Sequence, residues 1–215
     1  MKYLFTFVIF LLIGIGIAFS YSLVTTPVSH TPPFASPPTI TSSFSIANPP
    51  KQSIQGTISA ISGDVEVETR IATQPAKFTG MEPLVQGELV LTKTDGQANI
   101  EFPSSTSISL LKNTQVSIIQ ALQSSFVYSQ DSGTATYHIT GTYPVALIQN
   151  NLLLQLGNTS SVVTISVDND TTSISQKSGS GTIGYTDSTD TSQQVSLKAG
   201  QRFVFSQTNL TGNLE

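Results

Sequence analysis

Few residues in this chain have the types and spacing that chemistry requires. Gly179-Ser180-Gly181-Thr182-Ile183-Gly184 matches G-x-G-x-x-G letter for letter. A dinucleotide site needs that motif to open a helix whose N-terminal amides meet a pyrophosphate. Here Tyr185-Thr186-Asp187-Ser188-Thr189-Asp190 follows, which is poor helix material. The glycines therefore read as a hairpin loop between strands, and no cofactor is assigned. Asp168-Asn169-Asp170 begins like a calcium loop, yet an EF-hand wants Gly at the sixth position and Glu at the twelfth. Ser173 and Gly179 stand there instead. A looser calcium turn using Asp187 and Asp190 is the alternative, but Asp/Asn-rich turns form without an ion, and no metal site is assigned.

Nucleophilic and acid–base chemistry fare no better. The histidines are His30 and His138, so a Ser–His–acid triad would have to use His138, and no nucleophile-elbow motif accompanies it. Flanked by Tyr137 and Ile139, His138 is expected on the outer face of a strand. Glu66 and Glu68 share a strand face, the raw material of a glycosidase pair, but they alternate with Val65 and Val67 as any solvated edge does. No catalytic residue is assigned, and the chain is read as a non-enzyme. The sequons at Asn158, Asn169 and Asn209 matter only in a eukaryotic secretory pathway.

The elements that would carry these residues announce themselves more clearly. From Leu84 to Gln120, Ala98, Ile100 and Phe102 alternate with Gln97, Asn99 and Glu101, and Ile108/Leu110 and Val116/Ile118 repeat the pattern. Successive side chains leave a strand on opposite faces, so period-two alternation marks half-buried strands. Asp95-Gly96, Pro103-Ser104-Ser105 and Lys112-Asn113-Thr114 supply the turns. Upstream, Ile54 to Ala60 and Val65 to Val67 predict a hairpin turned at Ser62-Gly63, followed by a loop from Thr69 to Pro83. Downstream, strands are expected around Phe126/Tyr128, Ala135–Ile139, Val163–Val167, Thr172–Gln176, Ile183/Tyr185, Val195/Leu197 and Phe203/Phe205. Val145 to Leu156 fits either a short helix or two buried strands, and Asn150-Asn151 in its middle favours the strand hairpin.

Composition narrows the class. The chain has 215 residues, a formal net charge of −4 and only 10% charged residues. Nucleic-acid binding needs clustered Lys and Arg, which argues against that partner. With Cys 0, disulfides and thiolate zinc sites are excluded.

Leu4 to Phe19 is an apolar run relieved only by Thr6, Gly14 and Gly16 and preceded by Lys2. A signal peptide cut after Ala18-Phe19-Ser20 and a retained signal anchor both fit, and the length of the run favours the anchor. Lys2 places the amino terminus in the cytoplasm and everything beyond Tyr21 outside. Residues 25–50 hold seven of the Pro 11, with no charged residue between Lys2 and Lys51. Proline fixes φ and denies ladder hydrogen bonds, which suits an extended stalk reaching roughly 80 Å at about 3.1 Å per residue; a disordered linker is the plainer alternative. The expected layout is a signal anchor or transmembrane helix over 1–23, a Pro/Ser/Thr-rich linker over 24–52, an all-β domain over 53–207 and a C-terminal tail over 208–215.

Gly87-Glu88, Leu91-Thr92, Gln97 to Phe102, Ile108-Ser109-Leu110 and Thr114 together resemble the central signature of the FecR domain. Gly63-Asp64-Val65 fits that family's opening strand, and Val195 to Gln201 is similar to its closing strand and Gly turn. The likeness runs from about Gly56 to Phe205. Glu88 stands where the family has Asp, and Ser104-Ser105-Thr106 replaces its Asp-Gly-Ser turn. The resemblance implies a curled antiparallel β-solenoid or sandwich-like fold, extracytoplasmic and without a catalytic constellation. FecR proteins relay signals from outer-membrane receptors to sigma factors through a cytoplasmic N-terminal domain. With only Met1 to Tyr3 ahead of the hydrophobic run, this chain is expected to lack that domain and to need another subunit for such signalling. The reading is a membrane-anchored, non-catalytic binding, scaffold or signalling-accessory module at the cell envelope, with an envelope protein or glycan as partner. A secreted or surface adhesin or glycan-binding module is the alternative.

Overall fold

The computed structural model describes residues 52–103, 106–141, 144–149, 151–156 and 160–215. The anchor and the proline-rich linker read from the sequence lie outside these residues. Among the described residues no helix is long and apolar enough to cross a membrane.

The alternating pattern becomes two β-sheets that share one strand. β9 (Ser125–Ile139) pairs through its first half in one sheet and through its second half in the other. The first sheet runs in the order β3 (Ala76–Phe78), β2 (Val65–Glu68), β5 (Leu89–Thr92), β8 (Gln115–Leu122), the first half of β9, β10 (Val145–Gln149), β11 (Leu152–Leu156), β14 (Ser180–Thr186), β15 (Ser192–Lys198). The second runs β4 (Met81–Leu84), β1 (Gly56–Ser62), β6 (Gln97–Phe102), β7 (Thr106–Leu110), the second half of β9, β12 (Ser161–Val167), β13 (Thr171–Ser178), β16 (Arg202–Ser206), β17 (Thr211–Leu214). Every pairing is antiparallel except β9 with β10. Neither sheet closes on itself.

After β9 the chain lays hairpins alternately on the two sheets: β10–β11, then β12–β13, then β14–β15, then β16–β17. Each hairpin docks on the one its own sheet received before. The all-β class is as expected from the sequence, and β10 pairs with β11 and β12 with β13 as the anticipated hairpin partners.

Inward side chains of both sheets meet in one core that includes Ile58, Ile100, Ile108, Phe126, Tyr128, Tyr137, Leu154, Ile174, Phe203 and Phe205. Phe102 of the second sheet meets Phe126 of the first edge-on at 5.5 Å between ring centroids. Tyr185 of the first sheet sits 5.2 Å from Phe205 of the second. Each aromatic ring removes a large apolar area from water, so these contacts join the layers at both ends.

Four local readings are corrected. β1 and β2 do not form a hairpin: β1 pairs with β4 and β6, while β2 pairs with β3 and β5. Ser62-Gly63 instead carries the chain from one sheet to the other, with Gly63 at φ 62 and the Asp95 backbone where a Cβ would stand. Alternation states which side chains point inward, not which sheet a strand joins. The stretch from Thr69 to Pro83 holds two short strands, β3 and β4. Pro83 fits because β4 is an edge strand paired only with β1. Gly179 is likewise a corner between sheets, at φ 77, and the remaining glycines of its motif lie within β14. Residues 208–215, read as a tail, contribute β17: Gly212 lies against the Phe203 ring, and the Arg202 and Glu215 backbones exchange hydrogen bonds at 3.0 and 2.7 Å.

Candidate functional site

The bend in β9 organises a cavity between the two sheets' turns. Gly133 turns the strand with φ 77, and the Asn113 carbonyl and Thr114 side chain occupy the space a Cβ would need. Only glycine combines that dihedral with so close an approach. Thr114, 1% exposed, fixes the corner between β7 and β8 against the bend. Its Oγ1 donates to the Thr134 carbonyl at 3.1 Å and accepts from the Thr134 amide at 3.0 Å. Thr92 Oγ1 accepts from the Thr114 amide at 2.9 Å and donates to the Leu111 carbonyl. Thr92 and Thr114 are thus structural residues that brace a wall.

Against that wall lies a cavity of about 580 Å³ lined by the corner Leu111–Asn113, the bend Asp131–Thr134, Gln149 at the end of β10, the turn Ser166–Asn169, and Gln207 after β16. Four carboxamide residues from four separate stretches are among its lining: Asn113, Gln149, Asn169 and Gln207. Gln207 Nε2 donates to Thr172 Oγ1 at 3.3 Å, and that hydroxyl donates onward to Gln149 Oε1. Gln149 is 6% exposed, and its Nε2 has no hydrogen-bond partner among the described residues. Asp131 accepts from Gln115 Nε2 at 3.0 Å and from Ser129 Oγ at 3.1 Å. Asp168 Oδ1 accepts from the Asn169 amide at 2.8 Å, which caps the turn. The surface offers paired donors and acceptors, two carboxylates and one lysine, Lys112.

The residues weighed for catalysis are placed elsewhere. His138 is exposed on the outer face of the second sheet, as expected, and lies opposite Ser107, which in turn lies opposite Glu101. The row therefore runs acid, serine, histidine. A triad needs the imidazole between serine and acid, so this order cannot relay a proton. Glu66 is held by Lys93 at 2.8 Å, a partly exposed ion pair. Asp187 accepts from Thr189 Oγ1 (2.6 Å), Gln193 Nε2 (2.8 Å), and the Thr189 and Thr191 amides (2.9 and 3.1 Å). Those hydrogen bonds, Thr189 first, hold its carboxyl well below the usual carboxylate range. Its oxygens are committed to its own loop. Among the described residues no three His, Asp or Glu side chains gather as a metal site would require. The G-x-G-x-x-G glycines open strand β14, so no helix terminus faces a phosphate.

Sequence reasoning singled out Asn113 and Asn169 only as turn residues and passed over Gln149 and Gln207. Gln149 did leave a signal. It shares the inward parity of Val145 and Leu147, so a polar amide stands where alternation asks for an apolar side chain.

No family model matches the chain, and no curated protein matches it. Two crystal structures of a candidate anti-sigma factor from Parabacteroides distasonis ATCC 8503 are similar in fold, with TM-scores of 0.51 and 0.50 at 9% identity. Each superposition covers 59% of this chain and 58% of the other, so the chain spans under two thirds of the solved proteins it matches. At that identity the likeness is one of fold.

Proposed function

We propose that this chain is a membrane-anchored, extracytoplasmic FecR-like domain with a non-catalytic signalling-accessory or scaffold role at the cell envelope. The observation that supports it is the fold shared with the Parabacteroides candidate anti-sigma factor. The signature residues Gly87, Glu88, Thr92 and Thr114 are consistent with that reading, because each stabilises a corner rather than a reaction. Gly87 takes φ 89, and Glu88 accepts from the Val85 amide at 2.8 Å. The hydrophobic run Leu4–Phe19 supplies the anchor, and the proline-rich linker separates it from the domain.

Cross-linking and pull-down from native membranes test the role: an envelope signalling or scaffold protein should be captured. Recovery of the chain alone at every cross-linker length would remove the signalling reading. Intact-mass analysis of the native protein tests the anchor. Retention of Met1–Phe19 in the membrane fraction is expected, and a soluble mature chain beginning at Tyr21 would overturn it. A second reading, a glycan-binding surface module, draws on the carboxamide cavity.

A further inference from the structure

We propose that the cavity at the β9 bend is a saccharide site that takes a neutral, polyhydroxylated sugar ring or short oligosaccharide. A sugar hydroxyl both donates and accepts, and a carboxamide is the side chain that offers a donor and an acceptor side by side in one plane. Asn113, Gln149, Asn169 and Gln207 put four carboxamide side chains among the residues lining one space. Gln149 carries the argument furthest. It is 94% buried by its 6% exposure, its Oε1 is oriented by the Thr172 hydroxyl, and its Nε2 is left without a protein partner. That nitrogen is not one of the fully buried atoms lacking a partner, so it keeps contact with solvent at the cavity, where a ligand oxygen can take the place of water.

Other ligand classes fit less well. Two carboxylates, Asp131 and Asp168, against Lys112 disfavour an anion. A hard cation wants several free oxygens, whereas both oxygens of Asp131 already accept from Gln115 and Ser129. A wholly apolar ligand would strand the amides. Leu111, 47% exposed, and Val167 give the one apolar strip against which a sugar's C–H face can lie. The volume of about 580 Å³ falls within the roughly 300–1,000 Å³ of small-molecule clefts. The walls are held in place beforehand by Gly133 and the Thr92–Thr114–Thr134 hydrogen bonds, which lowers the ordering cost of binding.

The test uses the full-length protein in a sugar-free detergent on an array of neutral and acidic oligosaccharides, followed by calorimetric titration of the strongest neutral ligand. Binding to a neutral oligosaccharide is expected. Asn169→Ala and Gln207→Ala should each weaken it by about tenfold, the worth of one or two hydrogen bonds. Ser107→Ala, on the outer face of the second sheet, should leave it unchanged. Gln149→Ala is read beside its melting temperature because the residue is buried, and the exposed Asn169 keeps the test decisive if that variant unfolds. The assignment falls if no neutral saccharide binds, or if binding survives both the Asn169 and the Gln207 variants. Binding confined to acidic saccharides and lost in Lys112→Ala would make this an anion site instead. The proposal does not rest on the signalling role: a partner captured equally by wild type and Asn169→Ala separates the two.

Discussion

The two halves of the domain reach the same architecture by different means. Before β9 the chain changes sheet irregularly, and each corner is held by its own polar device: Asp64 and Asp95 beside Gly63, Glu88 beneath Val85, Thr92 and Thr114 beside the bend. After β9 it changes sheet once per hairpin, four hairpins in a row, and alternation alone positions most side chains. The first half is specified by particular residues and the second by a repeated pattern. Substitutions should therefore act through lost hydrogen bonds in one and through lost packing in the other.

Phe203→Ala, in the second half, is expected to cost the most. The ring is fully buried, 5.7 Å from Tyr185 and in contact with Gly212, and large-to-small changes of this kind cost about 3–5 kcal/mol. Denaturant unfolding should show the midpoint falling with the slope unchanged; a loss below about 1 kcal/mol would mean the last hairpins contribute little to the common core.

Thr114→Val, in the first half, keeps the shape and removes only the hydroxyl. It strands the Thr134 amide, while the Thr134 carbonyl keeps the Leu111 amide at 3.0 Å, at an expected cost of about 1–3 kcal/mol. An equal cost for Thr136→Val, whose hydroxyl bonds only Thr164 on the outer face, would erase the distinction between corner and strand.

Two tyrosines on β9, both fully buried, sharpen the contrast at a single strand. Tyr137 donates to Gln130 Oε1 at 3.1 Å, so Tyr137→Phe should destabilise by about 1 kcal/mol. The Tyr128 hydroxyl makes no hydrogen bond of ordinary geometry, with Thr106 only a weak electrostatic neighbour, so Tyr128→Phe should be neutral or stabilising. Thermal melts of the pair check the opposite signs.

The smallest effect is a pH dependence. Burial raises the Glu88 carboxyl above its usual value, against the lowering effect of the Val85 amide and Arg70. A raised acid binds its proton more tightly in the folded state. Its contribution to stability is then fully present below the unfolded pKa and is lost as pH rises through the folded one. Glu88→Gln should flatten the stability curve just above the ordinary carboxylate range, and an unchanged curve would assign the slope to other groups.

Much of this was legible in the residues, for reasons that also mark the limit. Val163, Ile165 and Val167 alternate over a whole strand, so β12 is plain. β3 and β4 have three and four residues with mostly exposed side chains, too few alternations to register. Ser62-Gly63 looks like a hairpin turn because a tight turn and a corner between sheets require the same glycine dihedral. The cavity was invisible for a related cause. Its carboxamides come from positions 113, 149, 169 and 207, and only the common bend of β9 brings them together.

The shared strand and the open edges also set how the domain meets mechanical load. β17 lies at the rim of the second sheet and holds to one neighbour, so tension applied at Glu215 peels its ladder pair by pair. β1 is clamped between β4 and β6, so tension entering ahead of Gly56 must shear two ladders at once. Of the two ends of the described chain, the first to enter the sheets is the one that grips.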